Sequence, residues 1–227
     1  MALPSGLISR RALLRATLAT APLMLAPRWL RAECAATPAQ TEGPFYMRGL
    51  QGIPVAAVLN DLTRVRGSSA EADGEPILVT GLVTDGDCRP IAGMQVEIWQ
   101  ACATGRYAHP SDSNPAALDP NFGYFGLAIT DETGRYRFKT VKPGAYPVGS
   151  WVRPPHIHFR VEGRGLRRLT TQMYFAGDPH QTGDMVLRGL SKQERNRVVI
   201  EPRKLESAPA GVAAEYRFDL SVPAAGG

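Results

Sequence analysis

Apolar and polar positions alternate along much of this chain with a period of two, the pattern of strands that bury one face. The alternation is clearest at 94–99 and again at 156–162. Other short runs rich in β-branched and aromatic residues are bounded by turn residues, which predicts further strands at 77–85, 124–130, 136–140, 169–175, 198–201 and 216–222. Only 190–195 favours a short helix.

Several short strands separated by turns predict an all-β fold, a β-sandwich of mostly antiparallel strands with long loops and little helix. The residues Asp-Glu-Thr-Gly at 131–134 separate two predicted strands and predict a hairpin turn. Residues 33–75 show no clear period, so we expect a loop-rich N-terminal arm there and a β-sandwich catalytic domain at 76–227.

The composition is ordinary for a globular protein, with 44% hydrophobic and 21% charged residues. The net charge of +5 comes from one end of the chain, because residues 1–32 contain five arginines and no acidic residue. Outside that segment 21 basic residues face 21 acidic ones. The excess therefore does not indicate a nucleic-acid partner.

Residues 1–32 have the features of an export signal. Arg10 and Arg11 follow Ser9, and an apolar run of 11 residues follows at 16–26. That run is too short to cross a bilayer, which needs about 20 apolar residues. The paired arginines resemble the twin-arginine motif, and an amphipathic or disordered N-terminus is the alternative. We expect cleavage between 32 and 36, export to the periplasm or beyond, and no stable membrane insertion after signal removal.

The three cysteines, Cys34, Cys88 and Cys102, form no CxxC pair, so a zinc finger or redox motif is not indicated. Export would permit a disulfide between Cys88 and Cys102. These two residues flank a predicted hairpin and do not face each other, so we expect three free, buried cysteines.

The candidate chemistry begins with His156 and His158, two of only four histidines. On a strand, positions i and i+2 point to the same face, so two imidazoles can converge on one metal ion. The intervening Ile157, with Phe159, would then face apolar packing. Two unrelated surface histidines would give the same short motif, and it decides nothing alone.

The residues around this pair are rich in proline. Pro154 and Pro155 precede His156, and Tyr146 precedes Pro147. Proline fixes the backbone, which suits side chains that hold a metal. A tyrosine in such a turn is by itself more typical of a surface aromatic.

Five motifs occur in an order that closely resembles the intradiol ring-cleavage dioxygenases, especially those of the protocatechuate 3,4-dioxygenase type. The resemblance covers roughly residues 40–222, and the ordered set is more specific than any one motif. The motifs are WQACATGRY at 99–107, DETGRY at 131–136, PGAYP at 143–147, RPPHIHF at 153–159 and LTTQMYF at 169–175.

The resemblance implies that Tyr107, Tyr146, His156 and His158 bind one non-haem iron(III), Fe(3+). Phenolate oxygen is a hard anionic donor that favours a trivalent metal. Zinc sites favour His, Cys and carboxylate, and oxygen-activating iron(II) sites usually have two histidines and a carboxylate. Glu162 is the only acidic residue close to the histidine pair in sequence.

The resemblance also implies three catalytic residues. Tyr146 would accept a proton from the bound catechol, Arg153 would stabilise negative charge on the activated ring, and Gln172 would lie near the iron-bound solvent. The substrates would be dioxygen and a catechol, and the product a muconate-type diacid. His109 and His180 match no ligand position, and we expect both to be non-catalytic.

Two departures leave the substrate open. Val148 stands where protocatechuate enzymes often have a tryptophan, and Tyr146 lies only ten residues before His156. Catechol, protocatechuate, hydroxyquinol and larger catecholic compounds all stay possible, as does an oligomer.

Two rival functions deserve comparison. The segments 81–96 and 130–136 also resemble metal-free transthyretin-like and carboxypeptidase-regulatory β-sandwich binding modules, which share the fold and lack the site. A zinc hydrolase built on the histidine pair would lack a third ligand and a general base. The ordered Tyr, Tyr, Arg and HxH set favours the enzyme.

Overall fold

The fold consists almost entirely of strands, as the alternation predicts. The computed structural model describes residues 34–46, 59–163, 165–205, 209 and 211–222. In these ranges the strands are β1 Pro76–Thr84, β2 Gln95–Trp99, β3 Phe125–Ile129, β4 Arg135–Val141, β5 Tyr146–Val148, β6 Trp151–Arg153, β7 His156–Glu162, β8 Leu169–Phe175, β9 Val199–Ile200, β10 Ala214–Arg217 and β11 Leu220–Ser221.

Two main sheets form the sandwich. One has the order β3-β2-β7-β8-β9, and in the other β1 pairs with β4, β10 and β11. Strands β5 and β6 form a separate hairpin. Five of the eight strand pairs in the described ranges are antiparallel, and β1 with β10, β1 with β11 and β8 with β9 are parallel. The predicted fold class is confirmed.

The main core contains residues from both sheets. In β7, Ile157, Phe159 and Val161 are fully buried in it, together with Phe138 of β4 and Phe218. The alternate residues of β7 point to the opposite face of their sheet, because side chains alternate along a strand. The strand therefore contributes to the core with one face and to a second buried region with the other.

A second, smaller apolar cluster covers that opposite face. It is composed of aromatic and small residues from β2, β3, β5 and the preceding loops, with Phe45 packed against it: Tyr46, Trp99, Ala101, Tyr107, Phe125, Leu127 and Tyr146. Phe45 and Tyr46 belong to the described part of the N-terminal arm, residues 34–46, here called the arm segment. The arm segment thus covers a face that would otherwise be open.

The predicted hairpin at 131–134 is wrong in its pairing, although the turn itself forms. Gly134 has φ 76° and donates to the Asp131 carbonyl, and the Asp131 side chain accepts from Thr133 and Arg135. Strand β3, however, pairs with β2, whereas β4 pairs with β1. The turn therefore carries the chain from one sheet to the other, because the long-range partners outcompete the adjacent strand.

Other boundaries differ modestly from the predictions. The C-terminal strand at 216–222 is interrupted and forms β10 and β11. The predicted helix at 190–195 occurs as α2, Lys192–Val198, with Ser191 and Glu194 forming a capping box. A 3₁₀ helix at Pro179–Thr182 and a short helix α1 at Met185–Arg188 had no sequence signal strong enough to predict.

The expectation of three free cysteines is wrong for two of them. Cys34 forms a disulfide with Cys88, 54 residues away, and Cys102 is free and buried as expected. The arm segment makes this possible by running beside the turn after β1, where the Cys34 N–H donates to the Gly86 carbonyl at 3.1 Å. No local sequence pattern identifies two cysteines this far apart in the chain as a disulfide pair.

The prediction of export rests on the leader. The leader at 1–32 lies outside the described residues, so its prediction stands as made. No helix in the described ranges is long and apolar enough to span a membrane.

Candidate metal centre

Strand register brings five of the relevant side chains to one face of the larger sheet. His156 and His158 lie on β7, where His156 pairs with Tyr174 of β8 and His158 pairs with Gln172. On the other side, His158 pairs with Trp99 of β2. All five are buried, so the sheet presents two histidines among polar and aromatic neighbours and away from solvent.

The two imidazoles converge as their spacing predicts. His156 Nε2 lies 3.2 Å from His158 Nε2. The His156 Nδ1–H donates to the Pro154 carbonyl at 2.7 Å, which leaves the Nε2 lone pair facing the centre of the site. Burial lowers the pKa of both histidines well below the usual value, with the Arg153 charge acting in the same direction. Both imidazoles are therefore neutral, the form that binds metals.

Tyr146 reaches the same point from the β5–β6 hairpin. Its hydroxyl lies 3.4 Å from His156 Nε2, and its backbone pairs with that of Arg153. Burial raises the pKa of Tyr146, and the nearby Arg153 charge opposes that rise. A phenol in this position needs a strong positive partner before it loses its proton.

Tyr107 completes the group from the loop after β2. Its ring packs edge-on against Tyr146 with centroids 5.5 Å apart, and its N–H donates to the Asp112 carboxylate at 2.7 Å. Its hydroxyl oxygen is buried and has no hydrogen-bond partner. Burial raises the pKa of Tyr107 well above the usual value, and the Tyr146 phenol adds to the rise.

The loops that hold the two tyrosines touch backbone to backbone. Gly105 has φ 84°, and a Cβ there would collide with the Ala145 carbonyl. A Cβ on Gly144 would collide with the Ala103 carbonyl, and the Gly144 N–H donates to the Cys102 carbonyl at 3.0 Å. Glycine is needed at both positions because any side chain would keep the two backbones from approaching this closely.

His158 is held differently from His156. Its ring is stacked on Trp99, with centroids 4.8 Å apart and planes at 9°. Its Nδ1 is buried without a hydrogen-bond partner. A Cβ on Gly43, in the arm segment, would lie 3.3 Å from the His158 ring. Stacking and close packing therefore set the orientation of this imidazole.

Arg153 lies beside the four converging side chains in a polar network, here called the arginine network. Its Nε donates to Asp184 at 2.7 Å, and its Nη2 donates to Gln172 Oε1 at 2.6 Å and to the Tyr174 hydroxyl at 3.2 Å. Burial alone would lower the pKa of Arg153, but the Tyr174, Tyr146 and Asp184 groups outweigh it and raise the pKa. The guanidinium is a fixed positive charge.

Sequence reasoning missed three members of this network. Asp184 precedes α1 and also accepts from the Leu187 N–H, so its sequence signal is that of a helix cap. Tyr174 lies in a strand whose alternation predicts burial without a role. Gln40 of the arm segment accepts from the Tyr174 hydroxyl at 3.0 Å. A tertiary fold is needed to connect residues this far apart.

The remaining residues considered from sequence lie elsewhere. His180 is exposed in the 3₁₀ helix, and the His109 ring is 5.8 Å from Phe45. Val148 is 38% exposed on β5. Glu162 is bonded to Arg168 and Arg160 at the far end of β7.

The donor set fits a trivalent metal. In the described ranges no three His, Cys, Asp or Glu residues come together as a metal site, so tyrosine oxygens have to complete any site built on the histidine pair. Two neutral imidazole nitrogens and two phenols meet here, one phenol without any partner. That combination is unlike zinc and iron(II) sites. The role of Tyr107, Tyr146, His156 and His158 as ligands is a prediction that the geometry supports.

Known proteins share both sequence and fold with this chain. The protocatechuate 3,4-dioxygenase beta chain of Burkholderia cepacia is 45% identical over 166 residues, which are 71% of this chain and 70% of that protein. The catechol 1,2-dioxygenase of Acinetobacter baylyi is 33% identical over 163 residues, 66% of this chain and 49% of that protein. The chain thus spans about half the length of that catechol enzyme.

A solved structure agrees with this similarity. The dioxygenase domain of a dioxygenase–carbohydrate-binding protein fusion from Streptomyces sp. SirexAA-E superposes with a TM-score of 0.59 at 27% identity, over 84% of this chain and all of that one. The profile of a family described as dioxygenase matches residues 41–224. The chain therefore belongs to the intradiol ring-cleavage dioxygenase family and is an enzyme of that class.

Proposed function

We propose that this dioxygenase holds one non-haem iron(III) between Tyr107, Tyr146, His156 and His158. We further propose that it cleaves catechol-type rings between the two hydroxyl-bearing carbons, incorporates both atoms of dioxygen and releases muconate-type diacids. The observation that carries the proposal is the 3.2 Å approach of two neutral imidazole nitrogens beside the Tyr146 hydroxyl and the unpartnered Tyr107 hydroxyl.

The metal would also give a partner to a buried polar atom of the site. A buried polar atom without a partner costs roughly 1–3 kcal/mol, and the Tyr107 oxygen is such an atom. Bound iron(III) would give both phenolates a strong positive partner and would supply the electron-accepting centre that makes a catecholate reactive toward dioxygen. Tyr107 and the two histidines would hold it throughout.

Tyr146 and Arg153 have complementary roles toward the substrate. As a phenolate, Tyr146 Oη, which lies 3.4 Å from His156 Nε2 on the short β5–β6 hairpin, takes the proton of one catechol hydroxyl. The Arg153 guanidinium, fixed by Asp184, stabilises the negative charge that develops on the ring. Gln172 holds the guanidinium in place through its Oε1.

We propose a catechol as the substrate class, because the names of the relatives give catecholic substrates. Protocatechuate and catechol are the ring substrates in the names of the two relatives described above. Val148 is smaller than the tryptophan that protocatechuate enzymes often have at this position, and it is exposed, which would leave room for a ring substituent. A larger catecholic compound fits this proposal as well as a simple one.

We also propose that the enzyme works outside the cytoplasm. The leader at 1–32 supports export, and the Cys34–Cys88 disulfide adds independent support, because disulfides persist mainly in oxidising compartments. A twin-arginine route would carry the protein already folded around its metal.

Metal analysis with an absorption spectrum tests the function. Purified protein should contain close to one iron per chain and show a visible charge-transfer band from the phenolates, and it should consume oxygen with catechol or protocatechuate. Stoichiometric zinc in a colourless protein prepared with abundant iron would contradict the assignment.

A further inference from the structure

The arm segment contacts the arginine network directly through Gln40 and Thr41. We propose that Gln40 is a positioning residue, which orients the Tyr174 hydroxyl and thereby fixes the Arg153 guanidinium for ring cleavage. The inference rests on the proposed function of Arg153.

The Gln40 side chain is held in one orientation. Its Nε2 donates to the Gln172 carbonyl at 2.9 Å and to Thr171 Oγ1 at 3.1 Å, and its backbone N–H donates to the Thr170 carbonyl at 2.8 Å. With the amide nitrogen bound to β8, the Oε1 atom has to face the other way, toward the Tyr174 hydroxyl at 3.0 Å.

The Tyr174 hydroxyl has one proton and two acceptors within reach. Gln40 Oε1 lies at 3.0 Å and Gln172 Oε1 at 2.9 Å. Gln172 Oε1 already accepts from Arg153 Nη2 at 2.6 Å. Both oxygens have two lone pairs, so both can accept from Arg153 in either case, but donation to Gln40 turns the Tyr174 O–H away from Gln172 and leaves Gln172 Oε1 to accept from Arg153 alone. Gln40 therefore sets the direction of the Tyr174 hydroxyl beside the guanidinium.

The next residue of the arm segment acts on the second acceptor. Gln172 Nε2 donates to the Thr41 carbonyl at 2.9 Å, which turns Gln172 Oε1 toward Arg153. Two consecutive residues of the arm segment thus hold the two oxygens that bind Arg153 Nη2. Only the Gln40 contribution comes from a side chain, so only it is accessible to substitution.

Gln40→Met tests the inference, because methionine keeps the length of the side chain and removes the amide. We expect kcat with catechol or protocatechuate to fall about 2- to 10-fold, the value of one hydrogen bond, and KM to change less than about two-fold. Iron content and the visible spectrum should not change. Gln181→Met is the matched control, since Gln181 Nε2 also donates to a β8 carbonyl, that of Phe175. Among the described residues, the one contact of Gln181 with the network is its backbone carbonyl, which accepts from the Asp184 N–H and is kept in the variant.

A double-mutant cycle separates positioning from general damage. If Gln40 acts through Tyr174, Gln40→Met should cost less than about two-fold in kcat once Tyr174→Phe has removed the hydroxyl. Losses that multiply independently in the double variant would overturn the inference.

A readout without catalysis distinguishes this inference from the proposed function. In the metal-free protein, NMR exchange between the two Arg153 Nη groups reports rotation of the guanidinium, and Gln40→Met should speed it about 2- to 10-fold, whereas Gln181→Met should not. Unchanged rotation would overturn the inference whatever the activity. Faster rotation in a protein that consumes no oxygen would support the positioning contact and contradict the proposed function.

Discussion

Arg153 Nε donates a 2.7 Å hydrogen bond to Asp184 Oδ2, and the two side chains are only 7% and 0% exposed. The pair is buried, so neither charge can be removed without leaving the other uncompensated. Asp184 thus ties the network around the metal centre to the start of α1, where it also accepts from the Leu187 N–H.

Asp184→Asn should therefore destabilise the fold. Asparagine keeps the shape and one cap acceptor but leaves a buried guanidinium without its counter-charge, at a cost of about 3–5 kcal/mol. Urea unfolding measures it. Asp178→Asn is the control, because Asp178 also caps a short helix but is only half-buried, and its side chain accepts from a backbone N–H, that of His180. Equal, small changes in both variants would show that the ion pair contributes little.

Arg153→Lys should keep the fold and lose most of the ring-cleavage activity. Lysine retains the charge that Asp184 needs but is a point charge that cannot bind Gln172 and Tyr174 through a planar fork. Loss of one preorganised donor of this kind lowers turnover about 10²–10³-fold in other enzymes. Oxygen uptake with a panel of catechols, beside iron content, checks this. Full activity in an iron-loaded Arg153→Lys protein would remove the proposed role.

Tyr107→Phe and Tyr146→Phe should each weaken and shift the visible absorption band. Each removes one of the two phenolate donors on which the band depends. Tyr124→Phe is the control, since its hydroxyl bonds the Asp119 backbone and, among the described residues, its ring packs against Phe122 and makes no ring contact or hydrogen bond with the histidines. A visible band that is the same in both site variants as in the unmodified protein, or that changes equally in Tyr124→Phe, would contradict the ligand assignment.

Reducing the disulfide should loosen the start of the arm segment. Replacement of Cys34 and Cys88 by serine is expected to lower the free energy of unfolding by about 2–4 kcal/mol, the usual contribution of a disulfide. Thiol reductant should destabilise the unmodified protein by a similar amount and leave the double variant unaffected. Sensitivity to reductant that persists in the variant would contradict this assignment, because Cys102 is a free thiol and has no disulfide to lose.

Export can be tested separately from catalysis. Arg10→Lys with Arg11→Lys should strand the precursor inside the cell, because the twin-arginine pathway recognises the arginine pair. Fractionation followed by immunoblotting measures it. Unchanged accumulation outside the cytoplasm would remove the twin-arginine route without affecting the assignment as an enzyme.

Strands and the histidine pair could be predicted because their signals are local. Alternation over a few residues identified β2, β7 and β8, and the spacing of His156 and His158 alone implied that both point to one face. The pairing of β3 and the Cys34–Cys88 disulfide could not be predicted, since each is decided by contacts between distant segments.

The arginine network shows the same division. Arg153 and Gln172 were identified through the resemblance to a family, while Asp184 gave only the signal of a helix cap. Its ion pair with Arg153 requires the end of β6 and the residue before α1 to come together, which no single stretch of sequence determines.

The contact between the two tyrosine loops has a consequence for redesign. Gly105 and Gly144 let the loops touch through their backbones, so a change of length or a side chain in one displaces the other. Anyone transplanting substrate preference from a relative would have to exchange both loops together as one module. By the same coupling, a side chain at either glycine would have to displace the backbone of the opposite loop.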